Sequence, residues 1–342
     1  MTGAIRFREL GRALLYRRSL ALVIVIALFG GVMTVAYPDI FFSTYNFSSI
    51  LLNMSFDVIV VVGMTILLIG GEVDLSVGWN LSMSGIIYAL LMTKLDWPFP
   101  LALAATLAVG AVTGLVVGLI VARVGVNSFI ATLAAGLIYY GLEFWLAGGQ
   151  SVTHLGPEVT SVGMASLFGL QLPVWYAGVI VVVFLYLMER TTAFRRYYYI
   201  GLNKEVARFS GIPVARMKII AFVISSVLAA FAGVISAARY ANAILLVGQG
   251  MELKAITAAM VGGVSFTGGI GTLTGALLGA LFIALINNAM IIASVNAFWQ
   301  PIFIGLVLLG AVVLDVVLLR LSATVGRTES SHAGEAKAMD AA

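Results

Sequence analysis

Asp57 and Glu143 are acidic side chains that fall inside long apolar stretches of the sequence. Acids in such stretches usually face the interior of a helix bundle or a water-filled cavity, because exposing them to lipid is costly. Ser49, Asn53 and Asp57 are spaced four residues apart and therefore share one face of a helix. Such groups could bind a polar solute, a proton or a sodium ion. Hydrogen bonds between helices, worth under ~1 kcal/mol each, explain any single one of them equally well.

Further polar side chains recur within or beside the apolar stretches. Thr132, Tyr140 and Glu143 share one helical face, and two adjacent asparagines lie deep in a later apolar stretch. Amide, hydroxyl and indole groups of this kind would meet an uncharged polar solute that crosses the membrane. The candidates for such a solute path are Asn53, Asp57, Trp79, Asn80, Asn127, Glu143, Asn287 and Asn288.

No motif typical of catalysis occurs in the sequence. A P-loop requires Gly-Lys followed by Ser or Thr, and the chain contains no Gly-Lys pair. It has no cysteine, and its two histidines, His154 and His332, lie outside the apolar stretches, so we expect no thiol chemistry and no metal site. We therefore expect a protein that is not an enzyme and binds no cofactor itself. Any work driven by ATP must come through a partner.

The composition predicts an integral membrane protein. Of the 342 residues, 61% are hydrophobic and only 10% are charged, whereas soluble domains carry roughly 25% charged residues. The net charge of +4 is small, so nucleic acid binding is not indicated.

A helix that spans a bilayer needs about 20 apolar residues. This length predicts an all-α polytopic fold with about ten transmembrane helices, at 19–37, 50–71, 76–93, 99–122, 127–147, 172–189, 217–240, 252–266, 270–294 and 299–320.

The distribution of Lys and Arg predicts the topology. If the N-terminus is cytoplasmic, sixteen of these residues fall on the inner side and three on the outer side, which is the bias expected of membrane proteins. Both termini are then cytoplasmic. The first apolar stretch is long and lacks an A-x-A cleavage pattern, so we interpret it as an uncleaved helix rather than a signal peptide. We expect a cytoplasmic segment at 1–18, a transmembrane domain at 19–320 with a cytoplasmic loop at 190–217, and a disordered cytoplasmic tail at 321–342.

The loop at 190–217 contains a short, sharply bounded helix, within "GLNKEVARFSGIPVARMK" at 201–218. Asn203 can cap its start, Gly211 can end it, and Pro213 prevents its continuation. A helix of about two turns is not stable alone in water, so it must pack against something. Its apolar side is predicted to consist of Val206, Phe209 and Ile212. A groove in a partner protein suits this small apolar side better than the alternative, a helix that lies on lipid headgroups.

Two glycine-containing segments interrupt the apolar stretches. In "GGEVDLSVGWN" at 70–80, Asp74 or Ser76 can cap the next helix, and we expect Glu72 and Asp74 near the cytoplasmic interface, as a structural turn or as functional carboxylates. The segment 252–266 is too short to span as a regular helix. We interpret 241–271 as a discontinuous region beside the solute path. The spacing of Gly271, Gly275 and Gly279 favours close helix packing.

Four motifs carry a resemblance to a known family. They are "GGEVDLSVG", "NSFIATLAAGLIYYG", "GLNKEVARFSGI" and "GGVSFTGGIGTLTGALLGALFIALINNAM" with the "FWQPIFIGLVLL" that follows. Together they resemble the permease subunits of ribose-type ATP-binding-cassette importers, over about residues 50 to 320. Three residues depart from the family pattern: Glu72 replaces an apolar residue, Ile270 a charged one, and Lys254 stands where many relatives have an acid.

The resemblance implies a bacterial inner-membrane protein with ten helices per subunit that pairs with a second permease subunit. It also implies two ATPase subunits that bind ATP and Mg²⁺ and an extracytoplasmic solute-binding protein. By the same resemblance, the short cytoplasmic helix couples to an ATPase through Leu202, Asn203, Glu205, Val206, Ala207, Arg208, Phe209, Ser210 and Gly211. The residues that match the structural motifs are Gly70, Gly71, Asp74, Ser76, Gly78, Gly262, Gly263, Gly268 and Gly269.

The resulting hypothesis is a permease that translocates a monosaccharide or similar small polar solute by alternating access driven by partner ATPases. One alternative is an importer of the same type for nucleosides or amino acids. Another is an ion-coupled secondary transporter, in which Asp57 and Glu143 would bind protons or sodium. The sequence argues against the last, on the expectation that no acid in an apolar stretch pairs with a lysine, arginine or histidine.

Overall fold

The computed structural model describes residues 18–317 of the chain, so the predictions for the first 17 residues and for the tail at 321–342 lie outside the described residues. The described chain is predominantly helical. Its only strands, β1 (Ser166–Leu167) and β2 (Leu170–Gln171), form a small antiparallel hairpin. The α-helices are α1 (Arg18–Ala36), α2 (Pro38–Phe41), α3 (Thr44–Ile69), α4 (Val77–Lys94), α5 (Phe99–Leu119), α6 (Ser128–Ala147), α7 (Pro157–Met164), α8 (Leu172–Arg190), α9 (Thr192–Leu202), α10 (Lys204–Phe209), α11 (Val214–Tyr240), α12 (Met251–Val261), α13 (Leu273–Ile292) and α14 (Trp299–Val317).

The predicted all-α membrane fold is confirmed. Among the described residues, eight helices are long and apolar enough to span a bilayer: α1, α3, α5 with its π-helical extension to Val124, α6, α8, α11, α13 and α14. The remaining two predicted spans are helical as well. Helix α4 has 18 residues but carries buried polar groups such as Asn80 and Ser82, which lower its hydropathy. Helix α12 has only 11 residues, so the segment predicted at 252–266 is indeed too short to span alone.

The predicted start of the second span is wrong. The second span begins at Thr44 rather than at residue 50, because the Ser43 side chain caps the helix by accepting a hydrogen bond from the Asn46 N–H. The first residues of this helix, 44–49, include Thr, Asn and Ser, so they do not belong to the run of apolar residues that predicts the span. Helix α3 is the centre of the bundle, with 83% of its most apolar stretch buried, whereas only 6% of α14 is buried. The rest of the described chain therefore leaves most of the surface of α14 uncovered.

Close backbone approaches at glycines hold α12 against α13. A Cβ at Gly279 would collide with the Ala258 carbonyl, and Gly262 and Gly275 approach each other just as closely. The predicted packing role is therefore confirmed for Gly275 and Gly279. It is wrong for Gly271, which lies in the turn before α13 with a φ of +140°. That residue permits the backbone to turn instead of bringing two helices together.

Three irregular segments pack against the helices of the bundle, and the one between α3 and α4 is almost entirely buried. Between α3 and α4, Glu72 and Asp74 are only 6% and 0% exposed, so both carboxyls are enclosed by the protein, and their place near the cytoplasmic interface stays a prediction. The segment is held by side chains of α6, since Val73 N–H donates to Ser128 Oγ (3.4 Å) and Leu75 N–H to Thr132 Oγ1 (3.0 Å). Buried non-helical backbone requires such hydrogen-bond partners.

The segments 241–250 and 262–272 flank α12 and make the region at 241–271 discontinuous, as predicted. Gly248 N–H donates to Ser82 Oγ at 2.7 Å, so the first segment enters the bundle and reaches α4. Gly269 N–H donates to the Ile69 carbonyl at 2.8 Å, so the second segment packs beside the end of α3. We call the end of the bundle that contains Ile69 and α10 the α10 end, and the other end the far end.

Candidate functional site: a polar cavity and an exposed helix

A cavity of about 270 Å³ lies between α3, α11, α12, α13 and α14. The residues around it come from the start of α3, the end of α11, the end of α13 and the start of α14, so the cavity belongs to the far half of the bundle. Its polar lining consists of Asn53, Asp57, Ser236, Tyr240, Lys254, Asn287, Asn288 and Gln300. Amides, hydroxyls and one ion pair therefore converge on a space with room for a small solute.

Four of the eight residues predicted for a solute path line this cavity: Asn53, Asp57, Asn287 and Asn288. Asn288 also has a structural contact, because its amide exchanges two hydrogen bonds with Asn46 at 2.6 and 3.1 Å and so joins α13 to α3. Asn53 makes only a long bond to Ser49 Oγ, at 3.5 Å, and its side chain is exposed. It can therefore exchange its partners for those of a solute.

The other four predicted path residues lie outside the cavity lining. Asn80 is fully buried and donates to the Ser226 carbonyl, while Trp79 packs edge-on against Tyr140. Asn127 caps α6 by accepting from Phe129 N–H. Each of these three contacts is a structural one that joins or starts helices.

Glu143 is fully buried, and its Oε1 accepts a hydrogen bond from Leu246 N–H at 2.8 Å. Leu246 has a φ of +62°, an uncommon conformation for a residue with a side chain. Glu143 therefore fixes the irregular segment 241–250, which contributes Val247 to the cavity wall. Its contact with the cavity is indirect.

An ion pair forms one wall of the cavity. The Lys254 ammonium lies 2.6 Å from Asp57 Oδ2, and the Asp57 residue is only 6% exposed. The expectation that no acid of an apolar stretch pairs with a base is therefore wrong. Sequence reasoning noted Lys254 only as a departure from a family pattern. A lysine within an apolar stretch was itself a signal, because such a charge needs a partner.

At the opposite end of the molecule, α10 has the bounds that the sequence predicts. Asn203 Oδ1 accepts from Glu205 N–H and Val206 N–H, and Gly211 follows the helix with a φ of +79°. Ala207 is buried and faces the bundle, whereas Leu202, Val206 and Phe209 are 64%, 59% and 88% exposed. Ile212 packs against the core, so its predicted place on the outward apolar side is wrong. We call Leu202, Val206 and Phe209 the outward apolar patch.

Comparison with known proteins identifies the family. The chain matches the model of a permease family described as "Branched-chain amino acid transport system / permease component" over residues 46–312. The chain belongs to this permease family. The matched residues include the whole of the cavity lining and α10. No solved structure matches the chain significantly.

Several sugar permeases are similar to this permease over most of their length. The ribose import permease protein RbsC of Haemophilus influenzae is 35% identical over 312 residues, which cover 90% of this chain and 95% of that protein. The D-allose transport system permease protein AlsC of Escherichia coli is 33% identical, covering 86% and 89%. The L-arabinose ABC transporter permease protein AraH of Azospirillum brasilense is 34% identical, covering 88% of each. This chain is accordingly a multi-pass permease subunit of the inner membrane and not a catalytic subunit.

The permease carries a second ion cluster, at the α10 end, which accounts for the charge of Glu72. Glu72 Oε1 lies 3.0 Å from the Lys204 ammonium and 2.6 Å from that of Lys218. Burial raises the pKa of the Glu72 carboxyl, but hydrogen bonds from Lys218 and Ser128 and the two nearby positive charges outweigh burial and leave the pKa below its usual value. Glu72 is thus ionised at neutral pH.

The next acid of the permease stabilises its own segment. Asp74 Oδ1 accepts from both Ser76 N–H (2.9 Å) and Ser76 Oγ (2.6 Å), which forms the turn that leads into α4. Ser76 occupies the cap position but its side chain makes no capping bond, so the predicted cap is replaced by this turn. Within residues 18–317, no cluster of three or more His, Asp or Glu side chains is arranged to hold a metal ion.

Proposed function

We propose that this chain is the membrane-spanning subunit of an ATP-driven importer for a monosaccharide. The observation that carries the proposal is the polar cavity of about 270 Å³ in a permease whose relatives are named for ribose, D-allose and L-arabinose. At about 30 Å³ for each water, this volume corresponds to roughly nine waters, which suits one small polyol. The amides of Asn53 and Asn287 can both donate to and accept from sugar hydroxyls.

The family description favours a second candidate, an importer of a branched-chain amino acid. A free amino acid is a zwitterion, so the cavity would need one unpaired negative group to bind its ammonium and one unpaired positive group to bind its carboxylate. Lys254 and Asp57 supply both charges, but each neutralises the other at 2.6 Å. The groups left for a solute are uncharged, which favours a sugar. The ion-coupled alternative has lost its support, because a relative is named as part of an ABC transporter.

The proposed assembly contains a second permease subunit, identical or homologous, two ATPase subunits that bind ATP and Mg²⁺, and an extracytoplasmic solute-binding protein. The proposed orientation puts both termini and the α10 end in the cytoplasm, as the excess of Lys and Arg in 190–217 favours. The far end then receives solute from the binding protein. The outward apolar patch, at the end of α9 and along α10, would dock into a groove of an ATPase subunit.

Introducing a single cysteine at Asn53 tests whether solute passes through the cavity. The chain has no cysteine of its own, so a polar maleimide would react only at the introduced thiol. We expect Asn53→Cys to transport until it is labelled, because the bulky label then occupies the cavity, and we expect excess cargo sugar to slow the labelling. Uptake by right-side-out vesicles measures the block. The control is Glu158→Cys, an exposed position outside the cavity lining, whose rate of labelling should not change when excess cargo sugar is added. Unimpaired uptake by labelled Asn53→Cys would exclude this cavity from the path.

Replacing Gly211 by valine tests the coupling role of α10. A Cβ at this position would meet nothing within 4 Å, so no clash is expected, but the φ of +79° is unfavourable for a side chain by about 1–2 kcal/mol. The end of α10 should shift, and uptake per ATP hydrolysed should fall about fivefold or more, with normal membrane insertion. The control is Gly178→Val in α8, where there is equal space and no positive φ. Equal coupling in both variants would contradict the role of α10.

A further inference from the structure

A single buried carboxylate joins α10 to the interior of the bundle. Glu72 is 6% exposed and accepts hydrogen bonds from two lysines, at 3.0 Å from Lys204 and at 2.6 Å from Lys218. Lys204 is the first residue of α10, and Lys218 lies in the first turns of α11. The side chain of Lys218 is 15% exposed, whereas that of Lys204 is 49% exposed.

The two lysines contribute differently to this cluster. Lys218 is closer and largely buried, and it compensates the charge of Glu72 more strongly than Lys204 does. An additional half-exposed lysine adds little stability, because solvent screens its charge. The contact of Lys204 with Glu72 therefore contributes little to the stability of the fold. Its significance is that it joins α10 to the buried segment 70–76. It is a side-chain connection between an exposed helix and a buried segment.

From Glu72 the connection continues to the cavity. The segment 70–76 leads directly into α4, whose Leu81 lines the cavity. At the start of α4, Gly78 packs against Gly248 so closely that a Cβ on either would collide with the other's carbonyl. Gly248 lies between Val247 and the helix start at Met251, and both of these residues line the cavity as well. Tightly packed elements of this kind move together instead of deforming.

We propose that Lys204 and Glu72 are positioning residues that transmit movements of α10 to α4 and to the cavity wall. The proposal rests on the proposed function, in which an ATPase subunit moves α10. When α10 shifts, its first residue pulls or releases Glu72, and segment 70–76 follows with the start of α4. Lys218 keeps Glu72 paired throughout, so the connection can loosen without leaving a buried charge unpaired.

Substituting the two lysines separately tests this inference. In Lys204→Met the connection to α10 is lost while the pair of Glu72 with Lys218 remains. We expect the melting temperature to change by no more than about 2 °C and the affinity for the ATPase subunits to stay within about twofold. Uptake per ATP hydrolysed, measured in proteoliposomes, should fall about fivefold or more. Lys204→Arg should restore coupling, because it also donates to Glu72.

Two further variants serve as controls. Lys218→Met should lower the melting temperature more than Lys204→Met does, because Glu72 then depends on a half-exposed partner. Lys94→Met, an exposed lysine at the end of α4, should leave both stability and coupling unchanged.

Three outcomes would overturn the inference: normal coupling in Lys204→Met, no rescue by Lys204→Arg, or a loss of ATPase affinity in Lys204→Met large enough to explain its defect. Failure of the proposed function is distinguishable, because in that case the unmodified protein itself would show no uptake that depends on ATP.

Discussion

Phe209→Glu is expected to abolish ATP-driven uptake by detaching the permease from its ATPase subunits. Phe209 is 88% exposed on a helix of six residues, and the neighbouring Leu202 and Val206 are exposed as well. An aromatic anchor at the centre of an interface is typically worth 2–4 kcal/mol, so its loss should weaken association about 30- to 1,000-fold. A buried charge in the groove adds to that cost. Copurification of the ATPase subunits with the tagged permease measures the effect.

The matched control is Phe168→Glu, which changes an equally exposed aromatic residue, 87% exposed, at the far end of the molecule. That variant should retain its ATPase subunits. Since Phe209 contacts solvent rather than the core, Phe209→Glu should also melt at the temperature of the unmodified protein. If Phe209→Glu copurifies with ATPase subunits as well as the control does, α10 is not their docking site.

Lys254→Met is expected to destabilise the permease and to stop uptake. It leaves Asp57, only 6% exposed, without the ammonium that lies 2.6 Å away. Removing one partner of a buried pair typically costs about 3–5 kcal/mol, because the remaining charge is uncompensated. We expect the melting temperature to fall by about 10 °C. Uptake should be lost as well, since the pair forms part of the cavity wall. Thermal unfolding in detergent and vesicle uptake measure the two effects.

The double variant Asp57→Asn with Lys254→Met distinguishes a structural pair from a transport site. Replacing both charges with neutral groups of similar size often has little effect on stability. The double variant should therefore regain most of the lost stability. Its uptake then shows what the charges do in transport. A melting temperature for Lys254→Met equal to that of the unmodified protein would contradict the ion pair itself.

The features that sequence reasoning predicted correctly are those determined by neighbouring residues. The bounds of α10 follow from the Asn203 cap, the turn at Gly211 and the ring of Pro213, all within eleven residues. Transmembrane helices follow from runs of apolar residues in the same way. The discontinuity around α12 follows from its short apolar length. In each of these cases the physical cause lies within the segment itself.

The features that it missed depend on packing between distant parts of the chain. Lys204 and Glu72 are 132 residues apart, and nothing in either local sequence indicates that they meet. Asn53 and Asn80 are both amides in apolar stretches, yet one faces the cavity and the other bonds to Ser226. Helical periodicity shows which residues share a face, but the neighbour of that face is determined by the tertiary arrangement. The sequence alone therefore could not show which polar residues line the cavity and which ones join helices.

Uptake in proteoliposomes that contain the permease, its ATPase subunits and its binding protein tests the central claim most directly. The vesicles should be prepared without any ion gradient and supplied with internal ATP or a non-hydrolysable analogue. The account predicts that sugar accumulates only with ATP and only when the ATPase subunits are present. Accumulation driven by a proton or sodium gradient in vesicles that contain the permease alone would contradict it.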